Sequence, residues 1–147
     1  MTSGSSTPHR IGVALLGAAL TLTVTGCGRD VAVPSPEAPS PACAQVSLPD
    51  TVNGAGRRPT GEPGTAAWGE PPITWRCGMP RPPQLAADSA LLEVDGIAWL
   101  PVAATGGDVF YAVTWPSASE PIYIEVAVPD AYAAPADVLL DLAPALK

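Results

Sequence analysis

The 147-residue chain has one histidine, His9, and one lysine, Lys147, and only 14% of its residues are charged. His9 falls in a segment expected to be removed, so imidazole chemistry is excluded from the mature chain. Lys147 is the last residue, where fraying makes a serine and lysine pair unsuitable as a nucleophile and base. Positive charge is also scarce. Beyond residue 26 six basic residues face fourteen acidic ones, a formal charge of −8, which argues against nucleic acid or an anionic bilayer held through a broad basic face. Long apolar runs are missing too. The most apolar stretch, residues 11–24, has 14 uncharged positions. As a helix it covers about 21 Å, short of the roughly 30 Å hydrocarbon core, so a permanent transmembrane span is disfavoured. What the chain does have is 47% hydrophobic residues, enough for one compact core. The residues after position 26 suit one domain and a tether, and are too few for a large multi-domain enzyme.

The N-terminus reads as an address. A short polar start with His9 and Arg10 precedes the apolar run, and together residues 1–26 have the layout of a secretory signal peptide. Val24, Thr25, Gly26 and Cys27 then resemble the lipobox of bacterial lipoproteins, in which a diacylglyceryl group joins the cysteine thiol and cleavage leaves that cysteine first. The competing reading is an ordinary signal peptide with an incidental cysteine. Cysteine arithmetic favours lipidation: of three cysteines in an exported chain, one is left over if two pair. Each buried methylene contributes about 0.8 kcal/mol, so two acyl chains hold a protein at the bilayer where one is marginal. Residues 27–42, with four prolines between positions 28 and 41, are expected to be a lipidated cysteine followed by an extended, mobile tether reaching roughly 40 Å.

Residues 43–147 form the expected domain. Cys43 and Cys77 remain for one disulfide, whose loop would remove denatured-state entropy worth roughly 3.8 kcal/mol. A zinc site needs more sulfur or imidazole ligands than the chain has. Residues 42–48 suggest a short helix ended by Pro49. Residues 52–72, with five glycines and several prolines, suggest an irregular surface loop organised by its ends and by Trp68. Strand periodicity then begins at 73–77 and returns at 91–94, 97–102, 109–115 and 122–128, with Asp95 and Gly96 suited to a tight hairpin turn. Pro135, Asp137 and the stripe of Val138, Leu139 and Leu142 predict a helix stopped by Pro144. The expectation is an α+β fold: a small antiparallel sheet of about four strands, packed by one or two helices, with one disulfide.

Trp68, Gly69, Glu70, Pro71, Pro72 and Ile73, followed by Arg76, Cys77, Gly78, Met79 and Pro80, resemble the central motif of the actinobacterial lipoproteins called domain of unknown function 3515. Gly96, Trp99, Leu100, Glu125, Val126, Val128, Pro129, Tyr132, Asp141 and Leu142 extend the likeness over roughly residues 43–146. The pattern departs at Thr114, Trp115 and Pro116. The resemblance implies a single small domain on an envelope lipoprotein. It carries over no catalytic residue.

Candidate chemistry is sparse. Asp88, Glu93, Asp95 and Asp108 would serve a calcium ion or an acid/base pair if they met at one end of the sheet; their spacing follows no loop signature, and solvated turn residues are the plainer reading. Arg57, Arg58, Arg76 and Arg81 crowd the disulfide loop and would grip a carboxylate or phosphate, with Trp68 and Trp75 supplying flat apolar surface. The alternative is that the arginines pin an irregular loop and the tryptophans are core. The resulting expectation is a non-enzymatic, lipid-anchored module on the outer face of the cell membrane, with no cofactor or metal, binding an envelope protein or cell-wall ligand through Arg57, Arg58, Trp68, Arg76 and Arg81. A carboxylate-dependent cell-wall hydrolase and a purely structural envelope protein are the alternatives.

Overall fold

The computed structural model describes residues 1, 4, 29–37, 40–113 and 121–147; Cys27 and the Thr114–Pro116 departure lie outside them. Eight strands make one antiparallel sheet among the described residues: β1 (Thr51–Val52), β2 (Ala55–Arg58), β3 (Thr65–Trp68), β4 (Ile73–Met79), β5 (Leu92–Val94), β6 (Ile97–Ala104), β7 (Gly107–Ala112) and β8 (Tyr123–Pro129). Their order across the sheet is β1-β2-β3-β4-β8-β7-β6-β5. The chain therefore meanders from one edge to the centre, crosses through residues 80–91 to the far edge, and meanders back until β8 pairs with β4.

The expectation of about four strands is corrected by this sheet, and the extra strands come from residues 52–72, read above as an irregular loop. Asn53 (φ 48°) and Gly54 (φ 73°) both take positive φ, the backbone of a two-residue hairpin turn that joins β1 to β2. That Asn-Gly pair is a direct hairpin signal. β3 escaped because all four of its residues are buried, so it has no polar alternation to read. The 42–48 helix is also shorter than expected, a 3-10 turn at Pro41–Gln45. At the C-terminus α1 (Pro135–Leu142) forms as predicted, but Pro144 does not end the winding, which continues as a 3-10 turn at Ala143–Leu146 and buries Leu146.

Alternation sets the two faces. Ile73, Trp75 and Cys77 of β4, Ile124, Val126 and Val128 of β8, and Phe110 and Ala112 of β7 point into one core with Trp68, Ile97 and Trp99. Val138, Leu139 and Leu142 of α1 and Leu146 complete it. The helix touches β1 and β5, strands on opposite edges of the sheet, and so spans the core face. Two polar links hold that span: the Asn53 amide donates to Asp141 Oδ2 at 2.7 Å, and Lys147 Nζ meets Asp95 Oδ2 at 2.6 Å. Inside, the Trp99 Nε1–H has no partner among the described residues, a cost of about 1–3 kcal/mol set against the burial of a whole indole.

Candidate functional site

The opposite face of the sheet carries the polar constellation. Register places Thr65, Arg76, Glu125 and Tyr111 side by side on β3, β4, β8 and β7. Arg76 Nη1 donates to Glu125 Oε1 at 3.0 Å, and the Tyr111 hydroxyl donates to Glu125 Oε2 at 2.9 Å, so one carboxylate joins both neighbours. Both members of the ion pair are largely shielded, with side chains 18% and 13% exposed. Burial pushes the Tyr111 hydroxyl up to about 12; its hydrogen bond to Glu125 and that carboxylate's charge act in the same direction, and Arg76 opposes them.

A strap lies over this row. Residues 31–36, within the segment read as a mobile tether, pack on the sheet. The Val31 amide donates to Pro59 O at 2.9 Å and Val31 bridges Thr60, while Val33 is buried at 4% exposure. Arg76 holds the middle, donating from Nε to Pro34 O at 3.1 Å and from Nη2 to Ser35 O at 3.3 Å, and Ser35 Oγ donates to Glu62 Oε2 at 2.5 Å. Prolines explain the docking as well as they explained the tether. Pro34 and Pro36 have few backbone states to lose, and an extended segment without intrachain pairing leaves its carbonyls open to a guanidinium. Just beyond the strap, the expected disulfide joins Cys43 to Cys77, the residue after Arg76 on β4, with Cα atoms 5.7 Å apart.

The five proposed ligand residues are placed unequally. Trp68 is fully buried, its Nε1 donating to Pro49 O at 3.0 Å, and Arg57 lies 5.7 Å above its ring while donating to Leu48 O at 3.3 Å. Arg58 pairs with Glu70 and donates to Gly69 O at 3.2 Å. Arg76 serves Glu125 and the strap. Arg81 is exposed, on the chain after β4, with no partner among the described residues. They form no single cluster: Arg57 and Arg58 sit on β2, next to the edge strand, and Arg76 on central β4. The core tryptophans offer no open surface to a ligand.

The carboxylates separate as well. Asp95 is in the β5–β6 turn, whereas Asp108 pairs with Ala103 near the other end of β6, six residues beyond Ile97 and so about 20 Å along the strand. These two do not meet at one end of the sheet. Among the described residues no group of three or more His, Cys, Asp or Glu is arranged to hold a metal. An open hollow of about 380 Å³ lies between residues 30–35 and Gly61 and Glu62 of the β2–β3 loop.

The motif around Trp68 proves to be a folding device. Gly69 (φ 74°) turns the chain out of β3 where a side chain would strike the Tyr132 hydroxyl and the Ala55 methyl, and that hydroxyl donates to Pro71 O at 2.9 Å. Gly78 accompanies the register shift between Cys77 and Met79 that bends β4. Motif residues thus make the corner, the staple and the bulge. The architecture is that of a disulfide-clamped antiparallel sheet domain spanned by a C-terminal helix. The chain belongs to the family described as protein of unknown function (DUF3515), whose model matches residues 11–147. No curated protein and no solved structure matches it.

Proposed function

We propose that this protein is a lipoprotein of the actinobacterial cell envelope: residues 1–26 direct export, a diacylglyceryl group on Cys27 anchors the chain to the outer face of the membrane, and the domain acts as a binding or accessory module rather than as an enzyme. The observation that carries this reading is the order of Leu22, Val24, Thr25, Gly26 and Cys27 directly after an uncharged run too short to span a bilayer. The pairing of Cys43 with Cys77 supports it, because it leaves Cys27 as the one cysteine outside the disulfide and fits an oxidising compartment. No helix among the described residues is long and apolar enough to cross a membrane, so attachment in this reading belongs to the lipid.

In this reading binding is preferred to hydrolysis; Asp95 and Asp108, at opposite ends of β6, are too far apart for the roughly 5–10 Å of a carboxylate pair acting on one glycosidic bond, which removes that pair. Exposed Arg81, without a partner among the described residues, is the basic group most open to an acidic envelope partner, followed by exposed Arg57. Fractionation of cells tests the anchor: wild-type protein should sediment with membranes and carry a diacylglyceryl mass on Cys27, and Cys27→Ser should be released. A bare thiol on a membrane-free native protein would refute the proposal.

A further inference from the structure

The docked strap bears on how the domain meets the membrane. We propose that the β2–β3 loop, residues 59–64, is a membrane-facing surface that rests on the lipid headgroups, with the sheet held at a fixed aspect to the bilayer. This rests on the lipidation of Cys27 proposed above. A free spacer of residues 28–41 would reach roughly 40 Å and let the domain turn over. The strap removes that freedom. From Val31 onward the chain is fixed to the domain, so four residue steps separate Cys27 from the docked chain, at most about 14 Å. That reach is close to the radius of gyration, about 13 Å, of a hundred-residue domain. While the strap is docked, a reach that short keeps the Val31 end of the domain nearest the lipid.

The place where the chain leaves the domain identifies the surface. Asp30 lies beside Gly61, its Oδ2 3.9 Å from where a β-carbon on that glycine would stand, and Arg58 Nη2 donates to Arg29 O at 3.5 Å. The loop itself is braced: Thr60 Oγ1 donates to Thr65 O at 3.2 Å, and Thr65 Oγ1 donates to Glu62 O at 2.5 Å. Charge at this exit is close to balanced: Arg29 is exposed and its carbonyl accepts from Arg58, but Arg58 is paired with Glu70, and Asp30 and Glu62 lie beside the exit, so the covalent tether supplies the attachment.

Site-specific photocrosslinking tests the proposal on the full chain in membranes. The photoreactive residue p-benzoylphenylalanine replaces exposed Pro63 in the loop or exposed Thr105 in the β6–β7 turn, and lipid adducts are counted by mass spectrometry. The expected result is several-fold more lipid adduct at position 63 than at 105. A Gly/Ser insertion of about twelve residues after Gly28, adding roughly 20 Å of flexible reach, should abolish that preference without touching the domain. Equal labelling at the two positions in an anchored protein would overturn this orientation alone, as would a preference that survives the insertion. A wild-type chain missing from the membrane fraction would instead overturn the anchor and the orientation together.

Discussion

The two halves of the sheet, β1–β4 and β5–β8, meet along β4 and β8 but are held by different means. The second half has long hairpins in unbroken register, six consecutive pairs between β6 and β7 and six between β7 and β8, and its stability comes from alternating apolar side chains packed under α1. The first half has outer strands of two residues, at the edge, and four residues, next to it, and is rich in glycine and proline. Besides the core side chains Val52, Trp68, Ile73 and Trp75, it is held by point attachments: the Cys43–Cys77 bridge, the Trp68 indole on Pro49 O, Arg58 on Gly69 O, and Arg76 on the strap. The difference shows that a segment such as β1–β3, with little apolar periodicity, can still belong to a sheet if cross-links and hydrogen bonds supplement a few buried side chains. It also locates the family motif, which lies in the half that needs the attachments.

Removing the covalent attachment should break the comparison most. Cys43→Ser is expected to cost about 2–5 kcal/mol, measured as a lower midpoint in denaturant unfolding, and to free a thiol at Cys77. Amide exchange should rise in β1–β4 and much less in β6–β8. An unchanged midpoint would mean that the first half does not depend on its staple.

Arg76→Gln should come next, at about 2–3 kcal/mol, because it leaves Glu125 shielded without its cation and takes the guanidinium from Pro34 O and Ser35 O. Exchange at Val33 and Ser35 should then approach that of an unstructured chain while the β6–β7 pairs stay protected. Continued protection at Val33 would mean that burial alone holds the strap.

The smallest effect belongs to Tyr111→Phe on the second half, about 1 kcal/mol at neutral pH from a half-buried hydrogen bond to a carboxylate. Its sign with pH follows from the raised hydroxyl. The folded protein holds the proton to about pH 12 and the unfolded chain to about 10, so the stability from this group is complete below pH 10 and is lost as pH rises through 12. Stability of Tyr111→Phe should accordingly fall less than that of the wild type over that window. Parallel titration curves would count against the coupling of Tyr111 to Glu125.

Legibility in the sequence divided along the same line. β4, β8 and α1 were readable because each presents one face to a core and one outward, as Ile124, Val126 and Val128 do against Tyr123, Glu125 and Ala127. The disulfide was readable by counting. β3 was not, since Thr65 and Ala67 are covered on the side that alternation expects to be polar. Nor was the strap, because prolines describe a segment's stiffness and say nothing of what it lies against. Trp68 and Arg76 drew attention as ligand residues, but an indole and a guanidinium in a loop-like sequence serve equally well to fill and to pin.

By itself the residue order determined local matters: which dipeptides turn, which stretches alternate, which cysteines pair, and that the first 27 residues look like an exported, lipid-bearing start. Only the tertiary structure decided that β4 pairs with β8 and that residues 31–36 dock on Arg76. Those outcomes depend on contacts between segments tens of residues apart, whose burial and hydrogen bonding no local window contains.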